Sequence, residues 1–256
     1  MKTKMYINDA EFFAGITLRD TIELEQNNMA LHVCENEEDI VSNRMKLATL
    51  LKCNIDNFVC ANQTHCANVH RVTSADKGRG ARTAQTAIPN TDALYTFEPN
   101  ILLGTFTADC VPIIFYHKEM GLVGVIHSGW QGTVQEIAYK VFKQLVELEE
   151  CNPQGFQVVL GPALSQEIFE VDEDVYVRFR DLGYADEFIY YKSDTQKYHI
   201  DNQKTVKAQC EMAGIPSENI LIDTTCTFLS DEGFSYRQDK KSGRHLSFIM
   251  RKSNEG

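Results

Sequence analysis

The chain has 256 residues, 43% of them hydrophobic, and a formal net charge of −11. That length supports one large domain or two small ones with a substantial core, while the acidity disfavours nucleic acid and anionic membranes as partners. No apolar run reaches the roughly 18 residues that span a bilayer, the start Met1-Lys-Thr-Lys-Met-Tyr6 leads into no signal core, and eight cysteines without paired spacing read as reduced thiols of a cytoplasmic protein.

No repeat, low-complexity tract or Pro/Ser linker divides the sequence, which favours a single domain over residues 1–256. Residues 36–52 have a helical pattern, with Asn36 placed to cap it and Ile40, Arg44, Leu47 and Leu51 on one face. The basic residue on that face points into a pocket or snorkels at its edge. Residues 56–61 read as a strand, with Asn62-Gln63-Thr64-His65 at its end. Residues 73–91 lack periodicity and read as a binding loop, a lid or a solvated loop. Lys77, Arg79 and Arg82 within it faintly resemble a phosphate-binding run.

Two apolar runs, 111–116 and 122–126, flank His117-Lys118-Glu119-Met120-Gly121 and predict an antiparallel hairpin. A two-residue turn at Lys118-Glu119 sets Cys110 opposite His127. A four-residue loop shifts the register by two positions and leaves them neighbours. Gly129 and Gly132 permit a tight strand-to-helix turn. Thr133-Val134-Gln135-Glu136 then has the form of a capping box ahead of a helical run to Val146. An anionic group near Gly129–Thr133 suits such a helix start, a plain capped helix being the simpler reading.

Further on, residues 156–160 read as a strand broken by Gly161-Pro162, and 172–182 and 201–213 as helices, the latter capped by Asp201. Residues 234–237 and 246–250 flank a polar turn and read as a closing hairpin. Strands and helices follow no regular βαβ alternation. The expected class is α+β: one layered domain with a mixed, mostly antiparallel sheet and packed helices.

His65, Cys110 and His127 each close or open an apolar run. Three such ligands with a fourth position open are the pattern of a catalytic zinc site. The same residues suit a Cys110 nucleophile with His127 as its base, or a buried cysteine beside two hydrogen-bonded histidines. The spacing matches no short zinc signature.

Asn62-Gln-Thr-His65, Thr107-Ala-Asp-Cys110-Val-Pro112 and His127-Ser-Gly-Trp130-Gln-Gly-Thr133 resemble the signature of the laccase-domain family. That family was first described as multicopper polyphenol oxidoreductases and is also called peptidoglycan editing factor and purine nucleoside phosphorylase. Asn43-Arg44, Pro89-Asn-Thr-Asp92, Phe169-Glu-Val171, Ser235-Tyr-Arg237 and Ser242-Gly-Arg244 extend the likeness over most of the chain. The chain departs from it near the N-terminus. Arg19-Asp20-Thr21 stands for the usual Arg-x-Gly-Gly, and Met29-Ala-Leu-His32 for Ser-Leu-Asn-Leu.

The resemblance implies a layered fold like the cytotoxic necrotizing factor catalytic domain. It also implies phosphorolysis of adenosine, inosine, guanosine or methylthioadenosine, with adenosine deamination in the same pocket. Zinc on His65, Cys110 and His127 is the expected cofactor, and Cu²⁺ suits the same ligands. Asn43, Arg44, Gln63, Asp92 and Arg237 are the expected substrate contacts. Arg44 and Arg237 would receive phosphate, and Asp92 or Asp109 would donate at the departing purine, although strand alternation makes Asp109 a supporting residue. Seven histidines without a His-x-His pair make a true multicopper centre a poor fit. The alternatives are a Cys/His hydrolase of a peptidoglycan precursor, a copper-dependent polyphenol oxidase side activity, or a structural zinc closed by Cys66 or His70.

Overall fold

A computed structural model of the chain describes residues 1–253. In chain order its strands begin with β1 (Thr3–Asn8), β2 (Phe12–Thr17), β3 (Phe58–Cys60), β4 (Val69–Arg71) and β5 (Ala93–Thr96). The central ones are β6 (Leu102–Thr107), β7 (Val111–His117), β8 (Leu122–Ser128) and β9 (Phe156–Leu160). The last are β10 (Glu170–Val171), β11 (Ile189–Lys192), β12 (Lys197–Ile200), β13 (Ile220–Ile222) and β14 (His245–Arg251). The helices are α1 (Glu37–Leu50), α2 (Trp130–Val134), α3 (Ile137–Leu148), α4 (Glu173–Arg180) and α5 (Asn202–Met212).

Side-chain alternation along the central strands explains the layering. On β7, Val111, Ile113 and Phe115 face one way and join a core with Val141, Phe142 and Leu145 of α3 and Val206 of α5. Ile114 faces the other way, into a core shared with Phe12, Ala14, Leu103 and Ile249. The six-stranded sheet β13-β9-β7-β8-β5-β4 therefore packs against the five-stranded sheet β1-β2-β14-β6-β3. The far face of the five-stranded sheet is covered by Leu47 and Ala48 of α1. The result is a helix–sheet–sheet–helix stack, mostly antiparallel, as the α+β expectation requires. A third sheet, β10-β12-β11, packs with α4 against Trp130 and Val134.

The hairpin has the four-residue connection, Lys118 to Gly121, with Pro112 facing His127 and Val111 facing Ser128. Asn36 and Asp201 cap α1 and α5 through the amides of Glu38 and Lys204. Three expectations are corrected. The capping box at Thr133 does not form, because Glu136 takes a left-handed φ of 59° and separates the short α2 from α3. Thr133 Oγ1 bonds Ser128 and Gly129 instead, and five residues of helix give little dipole for an anion. Residues 234–237 are not a strand. The β14 edges are taken by β2 and β6, leaving no place for a closing hairpin. The loop at 73–91 is not a lid. It is pinned to β3 through Cys60 N–H to Arg79 O and Gly78 N–H to Phe58 O, and Arg79 and Arg82 pair with Asp76 and Asp56.

Candidate active site

The chain passes from the five-stranded to the six-stranded sheet twice on the same side, between β3 and β4 and between β6 and β7. His65 rides on the first crossing and Cys110 on the second, while His127 stands near the end of β8. Because β7 starts at Val111 and Asp109 has a positive φ of 88°, strand alternation does not apply before Val111. Asp109 and Cys110 both line the cavity.

One ligand atom from each of His65, Cys110 and His127 lies within 4.8 Å of the others. Tetrahedral zinc needs edges of about 3.5 Å from its ordinary Zn–N and Zn–S lengths, so small side-chain rotations close the site. Gly129 leaves the room. A Cβ there would sit 2.8 Å from His65 Cδ2 and 2.9 Å from Cys110 Sγ. Two nitrogens and a thiolate suit zinc or copper and exclude a hard cation such as magnesium.

Asp92 holds the cluster together. Its carboxylate accepts His127 Nδ1–H at 2.7 Å and the backbone N–H groups of Thr64, His65 and Cys66 at 2.9–3.1 Å. One side chain therefore fixes the tautomer of His127, leaving Nε2 free, and pins the left-handed His65 backbone at φ 59°. Burial opposes charge on Asp92, but His127 and Cys66 outweigh it and draw the carboxyl to about 2. Burial also opposes a Cys110 thiolate, yet His127 and His65 outweigh it and bring the thiol to about 6. His127 is lifted to about 9, since Cys110 and Asp92 overcome the effect of burial. Each of the two therefore favours the charged form of the other, thiolate beside imidazolium.

The cluster lines a cavity of about 950 Å³, within the usual range for small-molecule sites. Arg237 lines it too, with Nη1 and Nη2 donating to Ile168 O and Glu170 O and its amide to Asp109 Oδ2. Gln63 also borders the cavity, but both ends of its amide pair with the backbone of Phe106 at 2.8 Å.

Three expected substrate contacts lie elsewhere. Arg44 is fully buried and donates to Met29 O, Gly80 O and Ala81 O, its guanidinium 4.9 Å from the Phe106 ring centre. Every nitrogen of this buried charge is already engaged, so it cannot hold an anion. Asn43 is buried beside it, donating to Leu24 O and Asn28 O. Asp92 is saturated as an acceptor and outside the cavity lining, so it is not the purine's donor. Asp109 likewise accepts from Thr227 and Arg237.

Arg244 and His32 are among the cavity residues that were missed. Arg244 approaches near enough for Cys110 and Asp109 to oppose the lowering that burial imposes on it. His32 comes from the N-terminal segment that departs from the family pattern. The quoted Ser242-Gly-Arg244 segment was the available signal for Arg244. Nothing local marked His32.

The chain matches the family described as Multi-copper polyphenol oxidoreductase laccase over residues 18–252. It is 36% identical over 248 residues to purine nucleoside phosphorylase YlmD of Bacillus subtilis, covering 94% of this chain and 89% of that protein. It is 37% identical over 201 residues to a purine nucleoside phosphorylase of Bacteroides thetaiotaomicron, covering 76% and 73%. Its fold superposes on the crystal structure of YlmD from Geobacillus stearothermophilus with a TM-score of 0.90 and 33% identity, over 95% of this chain and 93% of that one.

Proposed function

The chain belongs to the multi-copper polyphenol oxidoreductase laccase family, and within it we propose that this protein is a zinc-dependent purine nucleoside phosphorylase with adenosine deaminase activity. The observation that carries the reading is one cavity lined by the His65–Cys110–His127 cluster and by the guanidinium groups of Arg237 and Arg244. The relatives' names support the substrate class.

In this reading phosphate sits against Arg237 and Arg244. One of its oxygens attacks C1′ of the ribose, and the C1′–N9 electron pair leaves with the purine. When bound, zinc supplies Lewis acidity that strengthens water as a nucleophile for attack at adenine C6. His127, oriented by Asp92, and His65 hold the ion with Cys110. Copper at these ligands would be an isolated ion, since the described residues offer one such three-ligand group and a multicopper oxidase needs several centres. Eight free thiols fit a reducing, cytoplasmic setting, and among the described residues no helix is long and apolar enough to cross a membrane.

The test is incubation with adenosine, with and without phosphate. Ribose 1-phosphate formed only with phosphate supports phosphorolysis, and inosine supports deamination. Absence of both rejects the reading.

A second reading has its own observation. Cys110, His127 and Asp92 form a thiolate, imidazolium and carboxylate relay of the kind a hydrolase of peptidoglycan precursors would use. It leaves His65 without a role, although Asp92 and Gln135 both anchor its strained backbone. Zinc on Cys110 protects the thiolate from alkylation until a chelator removes it. Alkylation equally fast with and without chelator favours the hydrolase.

A further inference from the structure

We propose that Trp130 is the stacking platform for the purine base, so that the base lies against Trp130 and phosphate toward Arg244. This rests on the phosphorylase reading for the identity of the substrate, but not for the test.

The cavity has two unlike halves. Lys240 and Arg244 contribute cations to one, Arg244 standing near His32 and Cys110, while Arg237 lies against the other wall, donating to Ile168 O and Glu170 O. That other wall is apolar, built from Leu164, Phe169, Val171 and Val175 around Trp130. Glu170, Asp172 and Asp174 also line the cavity, Asp172 paired with Lys197 and Glu170 3.6 Å from His199. Phosphate is drawn to Arg244. A purine is flat and neutral, so it suits a compartment walled by aromatic and aliphatic side chains.

Trp130 is held for this task. It opens α2 directly after Gly129, the residue against the metal cluster, and lines the same cavity as that cluster. The ring is half-buried among residues of the three-stranded sheet unit, with the Arg178 guanidinium 6.0 Å from its centre. That contact orients the indole and leaves it part of the cavity surface. In this orientation the glycosidic bond spans from the Trp130 compartment toward Arg244, alongside the cluster.

Trp130 is the only tryptophan in the chain, so its fluorescence reports this wall alone. Titration with inosine in phosphate-free buffer should quench the emission saturably, and phosphate alone should leave it unchanged. Stacking worth about 1–3 kcal/mol per base predicts that Trp130→Ala raises the nucleoside KM about tenfold or more. The phosphate KM should stay within about twofold. Trp130→Phe keeps an aromatic face and should recover most of the loss, which separates stacking from misfolding.

Inosine leaving the emission unchanged, or Trp130→Ala weakening both substrates equally, would overturn the proposal. Because the titration needs no turnover, quenching in a protein that makes no ribose 1-phosphate supports the base platform while rejecting phosphorolysis.

Discussion

Gly129→Ala isolates the metal cluster from the rest of the fold. Gly129 has φ −67° and ψ 166°, an extended conformation open to any residue, so alanine introduces no backbone strain. Its new methyl would lie 2.8 Å from His65 Cδ2 and 2.9 Å from Cys110 Sγ, where ordinary contact begins at 3.4 Å. One or both ligands must retreat by about half an ångström, beyond the roughly 0.2 Å tolerance of metal–ligand distances. His65 cannot yield through its backbone, because Asp92 and Gln135 hold it on both sides. Zinc affinity should fall about 10–100-fold, as it does when the support of a metal ligand is lost. The metal-free fold should change little. Overpacking costs about 1–3 kcal/mol, and replacing glycine at a permissive position returns about 0.4–1 kcal/mol. Competition against a zinc-responsive chelator measures the first quantity, and urea unfolding in excess EDTA the second. An alanine variant that binds zinc within twofold of the wild type would refute the placement of the ligands around Gly129.

Asp92→Asn replaces an acceptor with a mixed group facing five donors, and should also lower zinc affinity about 10–100-fold, read by the same competition. Arg44→Met should destabilise the protein by about 3–5 kcal/mol, because three buried carbonyls lose their donor. The phosphate KM of the folded fraction should stay unchanged, and a selective rise in that KM would restore Arg44 to the anion site. His245 donates Nδ1–H to Thr17 O and accepts Phe234 N–H at Nε2, so it is locked neutral. Burial and nearby Arg244 lower it to about 4. A depressed histidine gives stability that is complete above its ordinary value of about 6.5 and is lost as pH falls toward 4, about 3 kcal/mol in all. Denaturant midpoints across that window should fall in the wild type and flatten in His245→Gln. An equal fall in both would assign the acid sensitivity elsewhere.

The parts of the site fixed by local pattern were legible in the sequence. Two continuous apolar runs and a polar connection marked the β7–β8 hairpin, and the residue types at their ends marked Cys110 and His127. What failed depended on partners distant in the chain. Arg44 looked like a pocket residue because helical periodicity reports its face but not the carbonyls of Gly80 and Ala81 waiting there. Thr133 looked like a cap because the motif ignores the left-handed turn at Glu136. Asp92 carried the right motif with the wrong role. Its five donors come from two segments that only the finished sheets bring together.

The placement of His65 and Cys110 on the two sheet crossings also sets the order of assembly. In the unfolded chain the thiol and the imidazoles are separated by long loops, and closing those loops costs entropy that one ion repays poorly. Strand pairing repays it first, through β3 with β6 and β7 with β8. An ion at these ligands would therefore join a nearly finished fold instead of templating it, and would then tighten both crossings by mass action. A cell short of the metal would accumulate folded, loadable protein, not unfolded chain awaiting degradation.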